Sequence, residues 1–381
     1  MKRIRLALNA WSLLSPHTGI ASYTRNLAIA LRDGNQTEPF FFYGFGWSAE
    51  IRSASVPGID RIKAAVKRLI PQPYALMRFA QQRCFNNGAR KFAFDLYHEP
   101  SFLPFQFDGP TVITVHDLSP LRYPETHPPA RVREVMERLP RAVQGASAII
   151  VDSDFIRTEL LQSVTVDPAR VTSIHLGVAP EYRPRSAKEI APALAHYGLS
   201  HRAYILAVGT LEPRKNVIQA INAHSGLPEK IRKRAPLVIA GMKGWLTQEL
   251  DARIRVAEER GEVRWLGYVP MEDLPPLYSG ARLFVYPSIY EGFGLPVLEA
   301  MASGIAVITS NRASLPEVAG EAAIMVDPDD RDALREAMLR MLEDEQEAKH
   351  CSELGLAQAA RFTWRACAEK TLAVYRKAIS E

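Results

Sequence analysis

The sequence predicts an α/β protein built from two successive units of alternating strand and helix. Three observations carry that reading. The chain has 381 residues, too many for one ordinary core and suited to two domains of roughly 100–200 residues each. Short apolar runs, each followed by a loop and then by helical spacing, recur along both halves. Between Ala179 and Arg202 the alternation stops in a proline-bearing, charged stretch without a strand, and it restarts at Tyr204. A first domain over residues 1–180 and a second over 181–361 follow, with a closing amphipathic segment from Phe362.

In the first half, residues 4–9 predict a strand, Trp11 to Ala21 a loop, and Ser22 to Arg32 a helix ending near Gly34. Gly19 stands just ahead of that helix, where a glycine either closes a turn or lets backbone approach a ligand. The spacing is not that of a dinucleotide fingerprint. Phe40 to Tyr43 is a second strand. Residues 61–91 then carry Arg61, Lys63, Lys67, Arg68, Arg78, Arg83, Arg90 and Lys91 with no acidic residue. Leu69, Ile70, Tyr74, Leu76, Met77 and Phe79 interleave with them, so the segment reads either as a surface for anionic lipid headgroups or as a solvated helix face. Phe94 to Tyr97 and Thr111 to Val115 are further strands, with His98-Glu99 and His116-Asp117 at their carboxyl ends. Ligands of open α/β sheets bind outside such ends. His116 is therefore a candidate to orient or deprotonate a hydroxyl, the alternative being a buried hydrogen-bonded histidine. Ala146 to Val151 is a strand ahead of Asp152-Ser153-Asp154. A helix cap by Ser153 or Asp154 explains that triplet more simply than a metal motif does. Val171 to His175 completes the half.

In the second half, Tyr204 to Val208 is a strand, and Gly209 to Asn216 forms a loop that delivers Arg214 and Lys215 beside a helix starting at Val217. Charge-assisted bonds from two cations suit a phosphate ligand. Leu237 to Ala240 and Val263 to Leu266 are strands, the second leading into Gly267-Tyr268-Val269-Pro270, where Tyr268 and Val269 offer a ring or a backbone edge to a nucleobase. Leu277 to Ala281, Leu283 to Tyr286, Ala306 to Thr309 and Ala323 to Val326 complete the set, with Glu317 in a loop from Ser314 to Val318. The most informative stretch is Glu291-Gly292-Phe293-Gly294-Leu295-Pro296-Val297-Leu298-Glu299. It reads as strand, glycine loop and helix start, a place where backbone comes close to an anion, with a carboxylate on either side. Asp327 to Asp330 reads as a helix start, residues 331–360 as helical, and Thr363 as the cap of a last helix reaching Ile379.

The totals narrow the function classes. A net charge of +5 suits anionic ligands or an anionic membrane surface but is too diffuse for nucleic acid, and no nucleic-acid recognition signature is present. Cys84, Cys351 and Cys367 lie far apart, with no metal-ligand spacing, and read as reduced thiols of a cytoplasmic protein. The start, Met1 to Leu8, is signal-like in charge, but Asn9 and Ser12 interrupt its apolar run. No run of about 18 apolar residues predicts a membrane span.

Those residues together resemble the retaining family-four glycosyltransferases of the GT-B fold, in which two Rossmann-like domains face each other across a cleft. The likeness covers nearly the whole chain. It is carried by Glu291 and Glu299 with seven residues between them and by Gly209 to Asn216, with support from Gly267 to Pro270, Ser314 to Val318 and the segment from Phe362. The resemblance implies that helix 362–381 crosses back to the first domain, which holds the acceptor. It implies that Arg214 and Lys215 neutralise a leaving diphosphate, Glu299 holds ribose hydroxyls, and Glu291 binds the transferred sugar. Phe293, Gly294, Leu295 and Pro296 would present backbone to the donor, His116 would line the reacting centre, and Gly19 and Gly209 would let backbone approach the donor phosphates. Thr18-Gly19 stands where the family often has two glycines. The expected reaction is metal-independent transfer of a hexose, mannose or a deoxyhexose foremost, from a nucleotide diphosphate sugar to a glycan or lipid-linked glycan of a surface polysaccharide. A GDP-sugar is expected over a UDP-sugar, with no cofactor. The competing readings are a nucleotide-sugar epimerase or hydrolase on the same architecture and a two-domain sugar-binding protein without catalysis.

Overall fold

In a computed structural model, which describes residues 3–14, 19–52 and 73–381, the alternation builds two sheets. Strands β1 (Ile4–Asn9), β2 (Thr37–Phe42), β3 (Trp47–Ser48), β4 (Leu96–Glu99), β5 (Thr111–Val115), β6 (Ala148–Val151) and β7 (Val171–Ser173) form the first. Its order is β3-β2-β1-β4-β5-β6-β7, parallel throughout except for the β2–β3 pair. The second contains β8 (Ile205–Val208), β9 (Leu237–Ala240), β10 (Val263–Gly267), β11 (Leu283–Tyr286), β12 (Ala306–Ser310) and β13 (Ile324–Val326). Its order is β10-β9-β8-β11-β12-β13, all parallel. The inner strands β5, β6, β9 and β11 are buried along their whole length. Covered on both faces by helices, they need continuous apolar runs rather than alternation, which is the pattern the sequence carries.

Most predicted elements are present, and the departures have local causes. Leu277–Ala281 is not a strand: all but Ala281, which caps its end, belongs to the helix Leu274–Gly280, whose Pro275 sits in the first turn, where a missing N–H costs nothing. The loop around Glu317 is a short helix, Leu315–Ala319. The first helix spans Gly19–Asp33, so Gly19 lies inside its first turn rather than ahead of it. The stretch between the sheets holds the helix Ala187–His196, capped by Ser186 accepting from Glu189 N. Ser153 caps Asp154–Ser163 by accepting from Ile156 N at 3.2 Å. Asp330 caps Arg331–Glu343 in the same way.

The last helix, Trp364–Ser380, is capped by Thr363 and lies against the first sheet. Tyr375 reaches His98 of β4, with Oη 2.6 Å from Nδ1. Lys377 donates to the Ala169 carbonyl at 2.8 Å. The two segments that pass between the domains run side by side, joined by a parallel bridge between Val178 and Thr363. The basic segment is described from residue 73 onward as the helix Pro73–Phe92, and its part from 61 to 72 lies outside the described residues. Arg78 is not one of its surface charges: it turns inward, bonding the Leu103 and Pro104 carbonyls at 2.7 Å each and lying over the Phe105 ring. Leu76 and Phe79 face outward. Among the described residues no helix is long and apolar enough to cross a membrane.

Candidate active site

In the second sheet the chain order reverses between β8 and β11, which lie side by side at the centre. The loops leaving their carboxyl ends diverge there and form a crevice, the usual ligand position in a doubly wound sheet. After β8 come Gly209 and a single turn, Pro213–Lys215, before the helix Val217–Ser225. After β11 comes the chain leading to Gly294 and the helix Leu295–Ala302. The two loops are tied together: Ile289 N donates to the Arg214 carbonyl at 2.8 Å, and Ser288 Oγ lies 3.0 Å from the same oxygen.

That tie brings Arg214, Lys215 and Glu291 into one cluster. Lys215 Nζ lies 2.6 Å from Glu291 Oε1 and Arg214 Nη1 3.1 Å from Oε2. Tyr286 Oη and Ser288 Oγ also donate to Oε1, at 2.8 and 2.6 Å. Arg214 pairs in addition with Glu212 at 2.7 Å. Burial works to raise the Glu291 carboxyl, but Lys215 and Arg214 outweigh it and hold the group at about 2. The cations are thus half-buried partners of a carboxylate rather than solvated surface charges.

The glycine loop is held by serines from both domains. Ser314 Oγ lies 2.9 Å from both the Glu291 and the Phe293 carbonyl oxygens and shares its one hydrogen between them. Ser153, the helix cap in the first domain, donates to the Gly292 carbonyl at 2.7 Å. A trans peptide points its N–H opposite to its C=O, so the N–H groups of Gly292, Phe293 and Gly294 face away from these serines. Gly294 has φ +109°, a left-handed conformation that disfavours any side chain. At Gly292 a Cβ would overlap the His116 carbonyl, so the glycine permits first-domain backbone to touch the loop. The Phe293 ring is buried between His175 and Phe362, leaving only its backbone for a ligand. Pro296, second in the helix, has no N–H and serves to shape the turn.

Glu299 stands one turn along that helix beside two tyrosines that sequence reasoning did not assign to the site. Burial pushes its carboxyl up to about 7, the Tyr278 and Tyr182 hydroxyls acting the other way. The two rings meet edge to face, 5.5 Å apart. Tyr268 is exposed and Val269 buried in the turn after β10. A Cβ placed on Gly19 would meet nothing within 4 Å among the described residues, and Gly209, with φ +149°, lies next to the Lys215 side chain.

From the first domain, His116 at the end of β5 has Nδ1 2.7 Å from Asp152 Oδ2 and Nε2 3.2 Å from the Pro100 carbonyl. Burial disfavours its charge, but Asp152 more than compensates and its pKa is raised. Asp152 therefore pairs with a histidine. Asp117 accepts from Ser119 N and Oγ at 2.9 and 2.7 Å. Its pKa falls because Arg214 across the cleft, with those bonds, overcomes burial. Glu317 crosses the other way: it accepts from Asp154 N at 2.9 Å, caps a first-domain helix, and pairs with His175. His98 is buried deeper, with Nε2 2.8 Å from Thr114 Oγ1, and burial takes it down to about 3.

This closed, two-domain arrangement has known counterparts. The sequence pattern of Glycosyltransferase Family 4 matches residues 17–182, and that of the glycosyl transferases group 1 matches residues 197–357. Over 371 residues the chain is 37% identical to the O-antigen chain mannosyltransferase B of Escherichia coli, covering 95% of this chain and 96% of the relative. The chain belongs to the family-four glycosyltransferases. A second relative, the MMP alpha-(1->4)-mannosyltransferase of Mycolicibacterium hassiacum, is 26% identical over 431 residues and 99% of each chain. Two solved structures share the architecture of this glycosyltransferase. Sucrose-phosphate synthase from Thermosynechococcus elongatus gives a TM-score of 0.78 at 21% identity, over 99% of this chain and 100% of that one. WaaG, a glycosyltransferase involved in lipopolysaccharide biosynthesis, gives 0.73 at 17%, over 96% and 98%. The fold is accordingly GT-B: two Rossmann-like domains, with the last helix of this glycosyltransferase packed on the first.

Proposed function

We propose that the protein is a retaining, metal-independent hexosyltransferase. It moves mannose or a deoxyhexose from a nucleotide diphosphate sugar, a GDP-sugar before a UDP-sugar, to a glycan or lipid-linked glycan destined for a bacterial surface polysaccharide. The observation that carries the reading is the meeting of Arg214, Lys215 and Glu291 at the crevice between β8 and β11, beside a glycine loop whose N–H groups are turned from their serine anchors. The name of the Escherichia coli relative supports the sugar and the process.

In this proposal Arg214 and Lys215 exchange Glu291 for the donor diphosphate and stabilise the charge left when the glycosidic C–O bond breaks. Gly209 and Gly19 leave room for the phosphates. Phe293, Gly294 and Leu295 supply backbone N–H groups, Glu299 accepts from ribose hydroxyls, Tyr268 and Val269 border the base, and Glu291 contacts the transferred sugar. His116 lines the reacting centre. Such fixed donors and cations lower the barrier because they need no reorganisation as charge develops. A phosphate oxygen can take the acceptor proton on the face the diphosphate leaves, so no protein nucleophile is required. Contacts across the cleft exclude water that would otherwise hydrolyse the donor. The division near residue 180, with the acceptor on the first domain, belongs to the same reading. So does a cytoplasmic location with peripheral contact to anionic membrane through the 61–91 segment.

The test is a panel of GDP- and UDP-sugars with a glycan or lipid-linked glycan acceptor, read by mass spectrometry. Transfer from a GDP-sugar, lost in Arg214→Ala and Glu291→Ala, is the expected result. Unchanged rates in both variants would overturn the site assignment, and complete turnover to an epimer or free sugar without acceptor would overturn transfer.

A further inference from the structure

The surroundings of His116 define its protonation state by geometry. Its two ring nitrogens face a carboxylate oxygen of Asp152 at 2.7 Å and the carbonyl of Pro100 at 3.2 Å. An ionised Asp152 and a backbone carbonyl are both acceptors, so this pairing favours a hydrogen on each nitrogen, the imidazolium, with His116 in turn opposing the burial that raises the Asp152 carboxyl. Asp152 is only 3% exposed, and among the described residues its second oxygen, Oδ1, is buried without a hydrogen-bond partner. Its charge is therefore answered chiefly through the oxygen that faces His116. Among the described residues, the other groups near the ring are engaged elsewhere. Asp117 is engaged by Ser119 and by the field of Arg214. His98 is held between Thr114 and Tyr375, and the Tyr23 ring meets the His116 ring in a T-shaped arrangement, centroids 4.8 Å apart. His175, nearby on the Asp152 side, is paired with Glu317.

The same ring is not sealed off. Its side chain keeps 16% of its surface, and its own carbonyl touches the glycine loop at Gly292. The bond from Nε2 to Pro100 is the longer of the two, so an oxygen of a bound sugar can replace that carbonyl while Asp152 keeps Nδ1. We propose that Asp152 is a positioning residue for glycosyl transfer: it fixes His116 as an imidazolium that offers its Nε2–H to an oxygen of the bound sugars. His116 then donates a hydrogen bond and a positive charge instead of removing a proton, the opposite of one role its position in the sequence suggested. This rests on the reading of the cleft as the site of transfer.

Two measurements on the full chain test it. In histidine-labelled protein without substrate, the His116 signal, assigned by its disappearance in His116→Gln, should report a doubly protonated ring at pH 7.5, and Asp152→Asn should return it to the neutral form. A neutral His116 in the wild type would overturn the proposal whatever the enzyme transfers, so its failure and that of the transferase reading are separate results. Kinetically, Asp152→Asn should lower kcat by about 10- to 100-fold, the worth of one charged hydrogen bond, while KM for the nucleotide sugar changes by less than about threefold. The alkaline limb of the pH–rate profile should move to lower pH, and Asp152→Glu should restore part of the rate. On a His116→Gln background Asp152→Asn should cost nothing further; multiplying losses would show that Asp152 does not act through His116.

Discussion

Glu299 supplies a quantitative test of donor binding. Burial, beside Tyr278 and Tyr182, raises its carboxyl to about 7, whereas an unfolded glutamate titrates near ~4.3. Between those values the folded protein holds a proton that the unfolded chain has released, so this group makes stability fall as pH rises through the window. Two ribose hydroxyls that both donate to Glu299 are best met by the carboxylate, which accepts at both oxygens, and donor binding is therefore expected to expel the proton. With a folded value of about 7, roughly a tenth of the protein is competent at pH 6 and roughly nine-tenths at pH 8. The apparent Kd should accordingly be about tenfold weaker at pH 6 than at pH 8. A nucleotide sugar is the ligand to use, because its diphosphate has no group titrating in this range. Calorimetry in buffers of different ionisation enthalpy should count close to one proton released at pH 6 and almost none at pH 8. Glu299→Gln should abolish the slope and weaken binding by about 1.5–3 kcal/mol, the worth of hydrogen bonds to a charged group. A pH-independent Kd in the wild type, or a slope that survives in Glu299→Gln, would refute the assignment of Glu299 to the ribose.

Two further outcomes follow from contacts described above. Gly292→Ala places a methyl group against the His116 carbonyl and should hold the domains apart. Transfer is then expected to fall by about 100-fold, the cost of roughly 1 Å of misplacement, with nucleotide affinity kept within about threefold in equilibrium binding; wild-type turnover would show that this approach is dispensable. Leu76 and Phe79, exposed by 58% and 60% on the helix Pro73–Phe92, should anchor the protein to vesicles containing anionic lipid. Leu76→Ser with Phe79→Ser is expected to reduce vesicle co-sedimentation at least about tenfold, given ~1.5–3 kcal/mol for burying each side chain, and no binding by the wild type would dismiss membrane contact through this face.

The fold was legible because its strands are buried on both faces and therefore spelled as unbroken apolar runs. Thr111–Val115, Leu237–Ala240 and Leu283–Tyr286 stand where their residues alone place them. The misreading of Leu277–Ala281 has the same origin: a short apolar run buried in a helix has the composition of a buried strand, and the first-turn proline was the signal that separated them. Helix ends were legible where a cap residue marks them, as at Ser153, Asp330 and Thr363. They were less so at Gly19, which carries no side chain to announce a boundary.

The site was legible only as far as each loop could be read alone. Gly209 to Asn216 and Glu291 to Glu299 announce themselves as a cationic loop and a glycine loop, because turn chemistry and helix starts are local. What neither states is that Arg214 and Lys215 are neutralised by Glu291, across 77 and 76 residues of sequence. Nor does either state that a first-domain serine fixes the second-domain glycine loop, from 139 residues away. These bonds exist because β8 and β11 are spatial neighbours and because the two domains close on each other, and both facts belong to topology. The same reasoning accounts for Asp152. Its local context, an Asp-x-Asp ahead of a helix, suggests capping or metal binding. Pairing with His116 requires that β5 and β6 lie adjacent with their carboxyl ends level, as the register of Val115 on Val151 provides. A carboxylate one residue beyond β6 then necessarily stands beside a histidine one residue beyond β5, so once the sheet order is known the pair can be derived from the sequence.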